Sequence, residues 1–223
     1  MSAAIRDLGR RRGEAVVAWQ LSARTADAAN AALDNALSAL ATDAIDVLTF
    51  YYVESTAEWA RLREPDGAYD AMKRAQEAGK VRMLGLTSHQ RRMATDILDA
   101  PGRPLDMLML RYNAAHRGAE REVFPTTDRV GAPFVAYTCL RWGALMQATP
   151  ADPPGWAPRP APEWYRYALA NPSVSVALMA PDGRDELRAN AALLADWRAP
   201  DPVEMRALEA HGARVYRHAG SFP

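Results

Sequence analysis

The stretch that decides the fold is residues 79–89, GKVRMLGLTSH. Gly79 suits the left-handed backbone conformation that closes a helix, and the apolar run 81–86 predicts a short buried strand directly after it. Polar side chains follow at the carboxyl end of this strand: Thr87, Ser88 and His89. Ligands bind at that end of the strands in a (β/α) barrel. The stretch therefore predicts a helix end, a buried strand and a ligand-facing loop.

Strand-like and helix-like segments alternate along the rest of the chain. The predicted strands are residues 14–21, 45–53, 81–86, 105–111, 133–138 and 174–179. The predicted helices are one capped by Thr25 and those of residues 57–62, 68–78, 91–98, 119–130, 163–170, 185–197 and 202–218. This alternation favours a parallel sheet with helices outside it. The absence of a G-x-G-x-x-G motif after the first strand argues against a doubly wound dinucleotide-binding sheet. The sequence predicts an α/β, TIM-barrel-like parallel (β/α) fold that is incomplete, with about six of the eight strand–helix units.

The composition excludes several classes of protein. The chain has 223 residues, with 27 Lys plus Arg and 27 Asp plus Glu, so its net charge of zero gives no nucleic-acid signature. Cys139 is the only cysteine, which excludes an internal disulfide and fits a reducing cytoplasm. No run approaches the roughly 20 apolar residues that span a bilayer, and the N-terminus lacks the apolar segment of a secretory signal. We predict a cytoplasmic single domain over residues 1–223 that binds neither nucleic acid nor membrane.

Several segments match the motifs of one known family in order and spacing. They are residues 5–20 (IRDLGRRRGEAVVAWQ), 33–47 (LDNALSALATDAIDV), 71–89, 106–113 (DMLMLRYN), 134–145 (FVAYTCLRWGAL) and 172–190 (PSVSVALMAPDGRDELRAN). The chain thus resembles the aldo/keto reductase family, from that family's second helix to its eighth strand. His89 and residues 111–125 (RYNAAHRGAEREVFP) resemble the subgroup that often carries a C-terminal iron–sulfur domain. The single cysteine rules out such a cluster here, and no metal site is predicted.

The resemblance also implies where the catalytic residues of the family belong. The family's first two strands carry the catalytic Tyr in a D-x-A-x-x-Y-G segment, which this sequence does not match. The catalytic Lys belongs at Gln20 and the catalytic His at Tyr51. Carbonyl reduction needs a proton donor beside the oxygen, and an unassisted phenol with a pKa of about 10 is a poor one. We expect Gln20, Tyr51 and His89 to form an altered or inactive catalytic group.

The nicotinamide side of the family's cofactor site is better matched. The resemblance implies that Tyr137 stacks on the nicotinamide ring of a bound NADP. It places Thr138 and Leu140 near the pyrophosphate, and Ser88 and His89 where the carboxamide is held.

The phosphate side of the cofactor is expected on the last strand–helix unit. The resemblance implies that Arg184, Arg188 and Asn190 meet the adenosine 2′-phosphate and the adenine. Arginine suits bidentate contact with phosphate, and the N-terminus of a helix attracts anions. Two departures weaken the match: Met109 replaces a Gln that holds the carboxamide, and MAPDGR (179–184) replaces a Pro-Gly loop.

Four interpretations of function remain open. The leading one is an NAD(P)H-dependent oxidoreductase that acts on a small carbonyl substrate. The second is a non-redox enzyme, such as a lyase, dehydratase or isomerase, suggested by the residues at Gln20, Tyr51 and Met109. The third is a pseudoenzyme or partner subunit, because a six-stranded sheet has two open edges that a homodimer or a complementing partner would cover. The fourth is a gene start upstream of Met1, which would add the two missing strands.

Overall fold

The computed structural model describes residues 2–218 and 220. The chain divides into two compact units, Met1–Leu108 and Met109–Pro223. The prediction of a single domain over residues 1–223 stays a prediction.

The first unit alternates helices with parallel strands. Its elements are α1 (Ser2–Leu8), a 3-10 helix (Gly9–Glu14), β1 (Ala18–Leu21), α2 (Ala26–Leu40), β2 (Ile45–Phe50), α3 (Thr56–Leu62), α4 (Ala68–Glu77), β3 (Val81–Ser88) and α5 (Arg91–Leu98), with β4 (Met107–Arg111) beginning at its end. The strands follow chain order, and β1 pairs with β2 and β2 with β3, both in parallel. Gln20 lies opposite Thr49, which lies opposite Gly85. The carboxyl ends of the three strands therefore lie at the same edge.

The second unit continues the alternation with shorter strands. Its remaining elements are α6 (Ala119–Glu122), α7 (Phe124–Val130), β5 (Phe134–Tyr137), a 3-10 helix (Ala144–Met146), α8 (Ala161–Leu169), β6 (Val176–Ala177), α9 (Arg184–Ala195) and α10 (Pro202–His218). β5 pairs with β6 in parallel, with Val135 opposite Val176. Among residues 2–218 and 220, no helix is both long and apolar enough to cross a membrane.

The core of the first unit follows the periodicity of its sequence. The face of α2 that the sequence predicts, with Leu33, Leu37 and Leu40 at i, i+4 and i+7, is buried. Leu48 on β2 and Leu84 on β3 are fully buried beneath the helices. Each such side chain contributes about 1.5–3 kcal/mol of transfer free energy to folding.

A carboxylate joins the start of β1 to the start of β2. Asp46 Oδ2 accepts hydrogen bonds from the Val17 amide at 2.8 Å and from Arg12 Nη2 at 3.0 Å. Burial raises the pKa of Asp46, but these hydrogen bonds outweigh it and leave the pKa below its usual value. Asp46 therefore stabilises the sheet and lies away from the carboxyl ends where ligands bind.

Several predicted boundaries differ from the structure, and three of the differences are as follows. The strand predicted over residues 14–21 begins only at Ala18, because residues up to Glu14 form a 3-10 helix. The helix predicted over residues 119–130 is two helices, because the backbone turns at Val123 and Pro125, which has no N–H to donate, lies in the first turn of α7. The strand predicted over residues 174–179 is only Val176–Ala177, which pair with Val135 and Ala136 of β5.

Candidate active site

Gln20, on β1, lies among hydroxyl groups at the carboxyl edge of the first unit. Its Nε2 donates a long hydrogen bond of 3.5 Å to Thr87 Oγ1, and Thr87 Oγ1 donates in turn to Thr49 Oγ1 at 3.1 Å. Both threonines are 1% exposed. An amide at this position orients neighbouring polar groups, but it carries no charge that could assist a proton donor.

Tyr51 and Tyr52 lie just beyond β2, and one expectation about them is wrong. A strand extending to residue 53 would point the two rings to opposite faces, but β2 ends at Phe50 and both tyrosines lie in a turn. Their rings stack with centroids 4.1 Å apart. Arg24 Nη2 stabilises the turn by donating to the Tyr51 carbonyl at 2.7 Å and to the Tyr52 carbonyl at 3.2 Å.

Ser88 and His89 occupy the end of β3 and the residue after it. Ser88 is fully buried, and its Oγ accepts a hydrogen bond from the Gln90 amide at 2.9 Å. His89 contacts a carboxylate that the sequence analysis missed: Glu54 Oε1 lies 3.2 Å from His89 Nδ1 and accepts from the His89 amide at 2.8 Å. The ring of Tyr52 lies 4.9 Å from the His89 ring. The structure thus joins two of the three predicted catalytic residues through a chain of rings, Tyr51, Tyr52 and His89.

In the second unit, Tyr137, Thr138 and Leu140 lie at and beyond the carboxyl end of β5. All three are half-buried. Asn113 Nδ2 donates to the Thr138 carbonyl at 2.8 Å and so ties this loop to the end of β4. The loop contains four residues with positive φ: Thr138 at 51°, Arg141 at 52°, Trp142 at 50° and Gly143 at 85°.

The helix predicted to hold the phosphate begins at Arg184, one residue before its predicted start. Gly183, with a φ of 94°, precedes α9, whose first residue is Arg184. Arg184 and Arg188 are exposed, and Arg188 forms an ion pair of 3.4 Å with Asp185. Asn190 is 3% exposed. The two guanidinium groups are accessible, whereas the Asn190 side chain packs inside the unit.

A buried charged cluster in the second unit also escaped the sequence analysis. Asp152 Oδ1 lies 3.0 Å from His211 Nδ1 and accepts from Arg214 Nε. His211 Nε2 lies 3.1 Å from the Leu145 carbonyl, and the Trp156 ring stacks on the imidazole at 4.2 Å. These contacts attach the Pro-rich loop 147–160 to α10. In the sequence, the only signals were a lone acid in the loop and a histidine in a distant helix.

Cys139 does not have the environment of a reactive thiol. It is 2% exposed, and its Sγ lies 3.5 Å from the Ala136 carbonyl. Burial raises the pKa of the thiol to about 12, which suppresses the nucleophilic thiolate form. Across the part of the chain that the structure describes, no three His, Cys, Asp or Glu side chains come together as a metal site.

Comparisons with known proteins identify the family. Residues 15–160 match the sequence model of the aldo/keto reductase family, and the chain belongs to that family. This confirms the resemblance found in the sequence. No curated protein sequence matches the chain.

Solved structures of aldo-keto reductases share the fold. One from Bacillus halodurans, in its holo form, has 18% identity and a TM-score of 0.73, over 96% of this chain and 78% of that chain. A thermostable aldo-keto reductase in complex with the inhibitor epalrestat has 19% identity and a TM-score of 0.69, over 94% of this chain and 75% of that chain. A putative 2,5-diketo-D-gluconic acid reductase B has 21% identity and a TM-score of 0.74, over 94% and 72%. These similarities confirm the TIM-barrel-like, incomplete (β/α) fold.

Proposed function

We propose that the chain is an NAD(P)H-dependent oxidoreductase that reduces a small carbonyl substrate with an altered catalytic group. The observation that carries this proposal is the retention of family cofactor residues at strand ends: Ser88 ends β3 and Tyr137 ends β5. Ligands of (β/α) folds bind at these ends. We also propose a cytoplasmic location, which the lone cysteine supports.

Each cofactor residue has a chemical role in this proposal. Tyr137 offers a half-buried aromatic face for the nicotinamide ring, and Ser88 offers a hydroxyl for its carboxamide. Arg184 and the N-terminus of α9 offer positive charge for a 2′-phosphate. The donor set fits in part, because the buried Met109 replaces an amide. When bound, the nicotinamide cofactor supplies a hydride.

Cofactor binding is the first test of this proposal. We expect NADPH to quench tryptophan fluorescence saturably, and Arg184→Ala to weaken NADPH binding by about 10-fold through loss of a charge-assisted hydrogen bond, with little effect on NADH. Tyr137→Ala should weaken the binding of both cofactors. Arg206→Ala and Tyr216→Ala, which change exposed residues of α10, are the matched controls and should leave binding unchanged. Absence of saturable binding at millimolar NADPH and NADH would reject the oxidoreductase function.

A second candidate function is favoured by the substitutions at the catalytic positions. A non-redox lyase, dehydratase or isomerase would use the hydroxyl, phenol and imidazole groups around Gln20, Tyr51 and His89 without a nicotinamide cofactor. This candidate would be favoured by a metabolite that co-purifies with the native chain but not with the Tyr51→Phe variant.

We further propose that the second unit forms a homodimer through an apolar surface at β6 and α9, which we call the β6–α9 surface. Its exposed side chains are Val176, Leu178, Met179, Leu187, Leu194 and Trp197. β6 also ends the order of strands, which leaves an edge that natural proteins usually cover.

Light scattering tests the proposed dimer. We expect the native chain to have about twice its chain mass of 24.5 kDa at micromolar concentration. Leu194→Glu, at a residue 72% exposed, should restore the single-chain mass, because it places a charge in the buried interface. The control Tyr216→Glu, at an exposed residue of α10 outside the β6–α9 surface, should remain dimeric. A single-chain mass for the native protein would contradict the proposal.

A further inference from the structure

Helix α9 is attached to the second unit by few of its side chains. Of its 12 residues, Arg184–Ala195, only Asn190 is buried and only Leu193 is half-buried, although the helix contacts α8. By comparison, α10 buries Leu208, His211, Gly212 and Val215. Packing supplies most of the stability of a helix in a protein, and an isolated helix of about 12–15 residues is marginal in water. We therefore expect α9 to open locally at a lower free energy than the better packed helices of the unit.

One exposed face of α9 is apolar along its length. Leu187, Ala191 and Leu194 recur at i, i+4 and i+7, so they lie on the same face of the helix. Leu187 is 49% exposed, Leu194 is 72% exposed and Ala191 is exposed as well. We call these three residues the α9 stripe, and its two leucines belong to the β6–α9 surface. The acids of the helix, Asp185 and Glu186, precede Leu187 by two residues and by one, so they do not lie on the stripe.

A second copy of α9 complements the α9 stripe. The contact between two identical copies related by a two-fold axis is self-complementary. An axis near Ala191 would place Leu187 of one copy against Leu194 of the other in an antiparallel pair of helices. The small side chain of Ala191 allows the helices to approach closely at the axis, because the distance between packed helices depends on the side chains at the contact. The occupant of the stripe is therefore the second copy already proposed for the β6–α9 surface.

The same helix carries the charges that are proposed to meet the 2′-phosphate of NADPH. Arg184 begins α9, and Arg188 follows one turn later beside the α9 stripe. The polar contacts of this turn are local: Arg188 pairs with Asp185, and Glu186 Oε2 accepts from the Asp182 amide at 2.7 Å. The positions of both guanidinium groups in the second unit therefore depend on how firmly α9 itself is held.

We propose that NADPH binding and dimerisation are coupled through α9, so that each strengthens the other. This inference rests on the proposed function and on the proposed dimer. The phosphate needs Arg184 and Arg188 in fixed positions, and the second copy needs the α9 stripe as one continuous face, so both events require the ordered helix. The event that occurs first bears the entropic cost of ordering α9, and the second then occurs more easily. The coupling is reciprocal, because it is a difference between binding free energies.

The affinities of monomer and dimer for NADPH test the coupling. We expect the Kd of NADPH to be about 10-fold higher for the monomer, which is a usual size for coupling between two sites. The monomer is obtained by dilution of the native chain or with Leu194→Gln, which adds no charge that would repel the phosphate and keeps a good helix former in α9. In sedimentation equilibrium, saturating NADPH should lower the Kd of the native dimer by about 100-fold, because each of the two sites contributes the same factor.

Tyr216→Gln is the matched control, because it changes an exposed residue of α10 outside the β6–α9 surface. It should keep the native Kd values of both the dimer and NADPH. NADH, which lacks the 2′-phosphate, should show a smaller difference between monomer and dimer. Equal NADPH Kd values for monomer and dimer would overturn the coupling, and so would a native chain that stays monomeric with saturating NADPH.

Hydrogen exchange without cofactor separates this inference from the proposed function. The amides of α9 should exchange about 10-fold more slowly in the native dimer than in Leu194→Gln, whereas the amides of α2 in the first unit should exchange equally in both. Equal exchange of α9 in both would overturn the ordering on which the coupling rests. If α9 is protected in the dimer but neither cofactor binds, the proposed function and the coupling fail together. If NADPH binds equally to monomer and dimer, only the coupling fails.

Discussion

Asp152→Asn is expected to lower the free energy of unfolding by about 3–5 kcal/mol, the cost of removing one partner from a buried ion pair. The side chains of Asp152, His211 and Arg214 are only 7%, 1% and 14% exposed. Both ring nitrogens of His211 lie within hydrogen-bond distance of an oxygen, Nδ1 of Asp152 Oδ1 and Nε2 of the Leu145 carbonyl. Without the carboxylate, the Arg214 guanidinium loses the anion that it contacts in the buried cluster. Loop 147–160 would also lose its attachment to α10.

Urea unfolding followed by circular dichroism measures this change. The matched control is Asp196→Asn, at an exposed position of the same unit, which should change stability by less than about 0.5 kcal/mol. If Asp152→Asn lowers the free energy of unfolding by less than about 1 kcal/mol, the cluster contributes little to stability.

The difference in the free energy of unfolding between the native chain and Asp152→Asn should also depend on pH. Burial raises the pKa of Asp152, but hydrogen bonds from the Thr149 amide, His211 and Arg214 outweigh it and hold the pKa well below its usual range. A carboxyl whose pKa is lower in the folded state contributes fully above its unfolded value of about 3.9. The contribution is lost as pH falls through the folded pKa. The difference in stability should therefore begin to shrink below about pH 5 and continue to shrink as the pH falls towards the folded pKa.

Gly212→Ala is expected to destabilise the chain by about 3 kcal/mol. A Cβ at Gly212 would lie 2.2 Å from the Ala114 carbonyl oxygen and 2.4 Å from its carbon. Both are backbone atoms, so α10 itself would have to move. In a helix, alanine is more favourable than glycine by about 1 kcal/mol. A decrease in the free energy of unfolding of Gly212→Ala would therefore result from the steric contact with Ala114.

The matched control for this substitution is Gly13→Ala, because a Cβ there meets no atom within 4 Å and the backbone does not have a positive φ. Thermal unfolding of the two variants compares them directly. Equal melting temperatures would show that α10 moves away from Ala114 at little cost.

Local patterns predicted most of the elements, and tertiary contacts decided the rest. The helix of residues 91–98 is correct to the residue, because its amphipathic pattern is complete within the segment. Tyr51 and Tyr52 read as a continuation of β2, yet the backbone of Tyr52 adopts a φ of 46°, and Arg24 stabilises the turn. The ion pair between Asp46 and Arg12 joins residues 34 apart, a pairing that no local pattern encodes.

Only part of the candidate site could be predicted from the sequence, because the remaining contacts join residues that are far apart in the chain. Ser88 and His89 were found because a strand-end motif places them there. Glu54 was missed because its partner lies 35 residues away, although an acid just beyond a strand end was a usable signal. Asp152 and His211 lie 59 residues apart, and only the folded second unit brings them together.

The positive-φ backbone after β5 has a consequence for recognition. Three of its residues, Thr138, Arg141 and Trp142, have side chains that disfavour this conformation, each at a cost of about 1–3 kcal/mol. The rest of the second unit must therefore supply the energy that keeps the loop in one shape. A segment ordered during folding has little entropy left to lose when a molecule binds to it. The loop therefore favours ligands whose shape already complements it. A change in ligand specificity would require replacement of the whole loop.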